Sequence, residues 1–153
     1  MLKAYIAGFD VFKEDSQEID KAYKNYLREH QIEGLYPSDN KETTSTSIFK
    51  ANIDLINKAD IVIANINDFR GDDPDSGTAY EIGYAYAKNK KIYAYREDTS
   101  PMTSRLGKKD KYNYHVEDFD NPVNLMIAES VEFITEGTFY DCVNQIIGNI
   151  EKN

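Results

Sequence analysis

Between Asp68 and Ala87 the chain reads DFRGDDPDSGTAYEIGYAYA, with aspartates at 68, 72, 73 and 75 and a glutamate, Glu81, among tyrosines. Carboxylates in such a stretch can cap a helix, hold a cation or take part in a reaction. Asp75 precedes Ser76-Gly77-Thr78, so its side chain is placed to accept backbone N–H bonds at a helix start. Glu81 then falls within the first two turns, where the helix dipole favours an anion. Gly77 and Gly83 leave room for close approach to that helix, and Tyr80 and Tyr84 are positioned to form a flat wall beside Glu81.

Spacing removes several alternatives. An EF-hand loop beginning at Asp72 would put Pro74 at a ligand position and Gly83 where the bidentate glutamate belongs, so calcium is not the reading. His30 and His115 are isolated and Cys142 lies in a helical pattern, which gives zinc no ligand set. Neither GFDVF nor GDDPDSG has the spacing or lysine of a phosphate-cradling or dinucleotide loop.

The elements that must position these residues follow from periodicity. KAYIAG (3–8) reads as a short buried strand ending in glycine. Residues 16–30 carry Ile19, Ala22, Tyr23, Tyr26 and Leu27 at helical spacing, with Ser16 as the expected N-cap. IEGLYPSDN is a strand or loop edge. Residues 44–60 form a second helix with Ile48, Ala51, Ile53, Leu55 and Ile56 inward. ADIVIANI (59–66) is apolar and β-branched throughout its centre, as suits a parallel strand covered on both faces. A loop, a helix near 77–88, the strand KIYAYR, a helix over 121–130, the strand SVEFIT and the closing helix GTFYDCVNQIIGNI complete the chain. Strands alternating with helices predict one α/β domain: three layers, flavodoxin-like or Rossmann-like, around a mainly parallel sheet. Ligands in such sheets sit beyond the carboxyl ends of the strands. Chain direction brings the loops 8–13, 65–76 and 96–120 there.

Composition narrows the partners. The 153 residues carry a net charge of about -9, which disfavours nucleic acid and anionic membranes. No segment approaches the roughly 20 apolar residues of a membrane span, and the N-terminal apolar run is too short for a signal peptide. A single cysteine excludes an intrachain disulfide and fits a cytoplasmic setting.

Three blocks, AYIAGFDVF, ANIDLINKADIVIANINDFRGDDPDSGTAYEIGYAYA and VEDFDNPVNLMIA, together resemble the nucleoside 2-deoxyribosyltransferase family. The resemblance implies a reaction on small molecules, a deoxynucleoside and a free nucleobase, with no metal or organic cofactor. The N-glycosidic bond is cleaved and 2-deoxyribose passes to a second base. It implies Glu81 as the nucleophile that forms a covalent deoxyribosyl ester, Asp75 as the acid that exchanges a proton with the base, and Tyr5 as the residue that orients the nucleophile. Gly8, Phe9 and Gly77 become substrate-site candidates. Phe69, Arg70 and Gly71 match a loop over the base in one branch of the family. Asn52 stands where some members carry a base-holding aspartate. Asn124 and Met126 match residues that reach the sugar from a neighbouring subunit, which implies a homo-oligomer with a shared site. Two rivals keep the same fold: a hydrolase of 2'-deoxynucleoside 5'-monophosphates, and a nucleoside-binding module without catalysis.

Overall fold

A computed structural model describes residues 1–152; Asn153 lies outside the described residues. Its strands are Leu2–Ala7 (β1), Ile32–Leu35 (β2), Ile61–Asn65 (β3), Lys91–Arg96 (β4) and Phe133–Glu136 (β5). Its helices are Ser16–Glu29 (α1), Ser45–Lys58 (α2), Ser76–Ala87 (α3), Met102–Leu106 (α4), Leu125–Ala128 (α5) and Phe139–Glu151 (α6). Short 3-10 turns occupy Phe9–Phe12 and Pro37–Asp39.

The five strands form one parallel sheet in the order β2-β1-β3-β4-β5. Side chains alternate across each strand, so β1 divides its residues between two cores. Ala4 and Ile6 join Leu27, Ile63, Phe139 and Ile146 on the face covered by α1 and α6. Tyr5 and Ala7 join Ile56, Val62, Ile82 and Ala85 on the face covered by α2 and α3. The central strand β3 is buried along its whole length, as its uninterrupted apolar sequence requires. Chain order reverses between β1 and β3, and the carboxyl ends of these two strands open the crevice where ligands bind in such folds.

The structure departs from the sequence expectation in several places. The α1 helix begins at Ser16, with Asp15 in the N-cap position and no side-chain cap bond; Ser16 is already helical. Residues 121–130 hold only the single turn of α5, capped by Asn124. Pro122 precedes that cap and cannot donate a helical N–H bond. Within α2 only Ile56 is fully buried; Phe49, Asn52 and Ile53 face a cavity, and Ile48 is 38% exposed. Cys142 is buried on the α6 side, with its thiol directed at the Ala94 carbonyl, and burial pushes it up to about 12. No helix among the described residues is long and apolar enough to cross a membrane.

Candidate active site

A cavity of about 340 Å³ lies on the α2/α3 side of the crevice, within the size range of small-molecule sites. Asp75, Gly77, Tyr80 and Glu81 form its α3 wall, and Phe49, Asn52, Ile53 and Ile56 its α2 wall. Gly8 and Phe12 close the side beneath β1.

Each wall has a local cause. Asp75 caps α3: its Oδ2 accepts from the Thr78 N–H at 3.1 Å and from the Thr78 hydroxyl at 2.9 Å. This cap fixes the first turn and leaves Oδ1 for other work. Glu81 follows on the cavity side of the same helix and is partly buried. Gly8 has φ 150°, and a Cβ there would stand 2.7 Å from Asn65 Cβ. Only glycine lets β1 end this close to β3. Beneath it, Asn65 donates to the buried Asp10 carboxylate at 3.3 Å and accepts from the Asn67 N–H at 3.0 Å.

The Tyr5 hydroxyl donates to Glu81 Oε2 across the floor of the cavity. Tyr5 is fully buried, and burial drives its phenol far above the ordinary range, so it remains a donor. Glu81 is raised from 4.5 to about 7. Burial is the main cause and the nearby Asp75 carboxylate adds to it; the Tyr5 hydrogen bond opposes them. The carboxylate is therefore poised between its two protonation states near neutral pH.

The sequence candidates separate into groups. Gly8, Asn52, Asp75, Gly77 and Glu81 share the cavity, with Tyr5 reaching Glu81 from below. Phe9 and Phe69 stack on each other at 4.9 Å, and Phe12 stacks on Phe69 at 5.5 Å. Of these three rings, Phe12 is the one that lines the cavity. The Arg70 guanidinium lies 4.4 Å over Phe69, and Arg70 and Gly71 border a separate depression facing the 106–117 loop. Asn124 and Met126 lie outside the cavity. Asn124 donates to Glu117 at 2.7 Å and caps α5, while Met126 is 74% exposed.

One expectation about α3 is corrected. Tyr84 turns away to donate to Asn57 Oδ1 at 2.7 Å, leaving Tyr80 as the tyrosine of the wall. Gly83 faces open space, so it is not where the helix packs on the sheet. Phe12 and Phe49 are lining residues that periodicity alone did not single out, and Ile53, expected inward, lines the cavity. The available signal was an apolar stretch of α2 wider than one core-facing stripe. Among the described residues no cluster of ligand side chains could hold a metal ion.

A sequence model described as nucleoside 2-deoxyribosyltransferase matches residues 4–126. The solved structure of a 2-desoxiribosyltransferase from Leishmania mexicana superposes with a TM-score of 0.88 at 31% identity, covering 97% of this chain and 98% of that one. A 2-deoxyribosyltransferase from Bacillus psychrosaccharolyticus shares the fold at a TM-score of 0.61 and 22% identity, with 99% and 91% of the two chains covered. An uncharacterized protein of Schizosaccharomyces pombe is 29% identical over 104 residues. That match takes in 61% of this chain and 49% of the relative, so it spans about half the length of the curated protein. With the family match running from β1 through the cap of α5, the chain belongs to the nucleoside 2-deoxyribosyltransferase family.

Proposed function

We propose that this protein transfers 2-deoxyribose between nucleobases, with net retention at the anomeric carbon, through a covalent ester on Glu81. The observation that carries this reading is the Tyr5-anchored Glu81 carboxylate sharing a cavity wall with Asp75. Tyr5 holds Oε2, which leaves Oε1 to attack. Oε1 bonds to C1' as the C1'–N bond breaks, and the bonding pair leaves with the base. A base anion is a poor leaving group, so the one proton that the Glu81–Asp75 pair holds near neutral pH must sit on Asp75 when Glu81 attacks, and Asp75 passes it to the base as the bond breaks. A second base then binds, surrenders a proton to the Asp75 carboxylate, and its nitrogen attacks C1' from the side opposite the ester. Glu81 leaves as carboxylate. Two inversions restore the starting configuration, as in retaining glycosidases.

Largely apolar walls support this assignment, because the ester must outlast contact with water until the acceptor arrives. The exposed rings of Phe12, Phe49 and Tyr80 at the cavity rim, and the position of Asn124 and Met126 outside it, support a site completed by a second copy. Sedimentation of the purified protein tests that assembly.

Incubation with deoxyinosine and adenine should yield deoxyadenosine, and quenching without acceptor should leave a deoxyribosyl mass increment on the peptide containing Glu81. Release of free base without transfer, or preference for the 5'-monophosphate, would instead favour the hydrolase. Binding without any turnover would favour the non-catalytic module.

A further inference from the structure

We propose that Asn40 fixes the Asn52 amide so that it presents N–H, not C=O, to the cavity, and thereby selects nucleobases bearing an exocyclic oxo group over those bearing an amino group. Two backbone groups set the chain of orientation. Asn40 Oδ1 accepts from the Glu42 N–H at 3.1 Å, a group that can only donate. Asn40 Nδ2 donates to the Pro37 carbonyl at 2.5 Å, a group that can only accept. The Asn40 amide thus has one orientation.

Its second N–H reaches Asn52 Oδ1 at 3.2 Å. That commits the Asn52 oxygen away from the ligand. Asn52 Nδ2 is left without a hydrogen-bond partner among the described residues, on a side chain that lines the cavity. The other α2 residues of this wall are Phe49, Ile53 and Ile56, so the amide is the polar group this helix offers to a base. The oxo oxygen of hypoxanthine, guanine, uracil or thymine can accept from it. The amino group of adenine or cytosine would meet it donor to donor. Asn40 does not line the cavity; it is a positioning residue acting through Asn52.

This inference rests on the preceding reading only in taking nucleobases as the occupants. It is tested by calorimetric binding of hypoxanthine against adenine, and uracil against cytosine, to the wild-type protein, Asn52→Asp and Asn40→Ala. One hydrogen bond replaced by a donor–donor clash corresponds to about 10- to 100-fold in affinity. The wild type should favour the oxo member of each pair by that factor. In Asn52→Asp the carboxylate accepts from Asn40 and from an amino group alike, so the preference should reverse. In Asn40→Ala the Asn52 amide can turn over, and the ratio should fall toward one although the cavity wall is intact. General damage to the fold would weaken both members of a pair and leave the ratio unmoved. Should Asn40→Ala fail to fold, Asn52→Asp carries the test. Equal wild-type affinities, or a ratio unchanged in the variants, overturn the inference. An oxo preference in a protein that transfers no sugar upholds it and removes the transfer reading; transfer without preference does the converse.

Discussion

Replacing Glu81 by glutamine should make the protein more stable at pH 8 and leave it unchanged near pH 4.5. The folded state raises this carboxylate from 4.5 to about 7. Below pH 4.5 the group is protonated in both the folded and unfolded chain, and its contribution to stability is fully present. As pH rises, the unfolded chain releases the proton first, and stability is lost until the folded group ionises near pH 7. Above that the loss is constant. At about 1.4 kcal/mol per pH unit, the loss amounts to at most about 3 kcal/mol, reduced to the extent that the side chain borders the open cavity. Glutamine keeps the shape, stays neutral and still offers an oxygen to the Tyr5 hydroxyl. For a chain of this size each kcal/mol regained corresponds to a melting temperature higher by roughly 2–4 °C at pH 8, so the full loss sets a ceiling of roughly 12 °C. Urea or thermal unfolding of both proteins from pH 4.5 to 8 reads the difference directly. Parallel stability curves across that range would show that the folded protein does not oppose ionisation of Glu81, and the reasoning from burial would fail. The same substitution should abolish the sugar adduct, the trade of stability against activity expected where a reactive group is held out of water.

Three further outcomes are expected. Transfer in the wild type should fall as pH rises through about 7, where the Glu81–Asp75 pair loses its last proton and Asp75 has none to pass to the base, and in Tyr5→Phe this limb should move about 1–2 pH units higher, because a hydrogen bond to the anion is lost; a kcat/KM profile against pH checks the direction. Asp75→Asn should retain the cap, since an amide oxygen can still accept from the Thr78 N–H, and so unfold within about 1 kcal/mol of wild type while transfer falls by roughly 10²–10⁴; a rate loss no larger than the stability loss would reduce Asp75 to a cap. Gly8→Ala, with a Cβ forced to 2.7 Å from Asn65 Cβ at φ 150°, should cost about 1–3 kcal/mol in chemical denaturation.

The sheet was legible because burial on two faces writes continuous apolar strands, as in Ile61–Asn65, and because α3 carries its Asp75 cap and α1 and α6 carry apolar stripes at helical spacing. What stayed illegible depends on distance in space. Nothing local distinguishes Tyr80 from Tyr84, yet one faces the cavity and the other bonds Asn57. The run over 121–130 has helical composition, but Pro122 and the Asn124 cap confine the helix to one turn. The 3-10 turn at Phe9–Phe12 has no periodic signature in four residues, and it decides that Phe12, not Phe69, lines the cavity. Glu81 and Asp75 were recognisable as a block, whereas the raised affinity of Glu81 for protons arises from burial that only the assembled walls create. The Asn40–Asn52 contact joins a loop to a helix twelve positions away, and no sequence pattern announces it.

Cys142, sealed beneath α6 on the face away from the cavity, carries a thiol that stays protonated under ordinary handling. Maleimide and similar reagents need an accessible thiolate. A cysteine introduced anywhere on the surface would therefore be the sole position to take up a fluorophore or a solid support, so the native protein can be tagged or immobilised at one chosen point without first removing its own sulfhydryl.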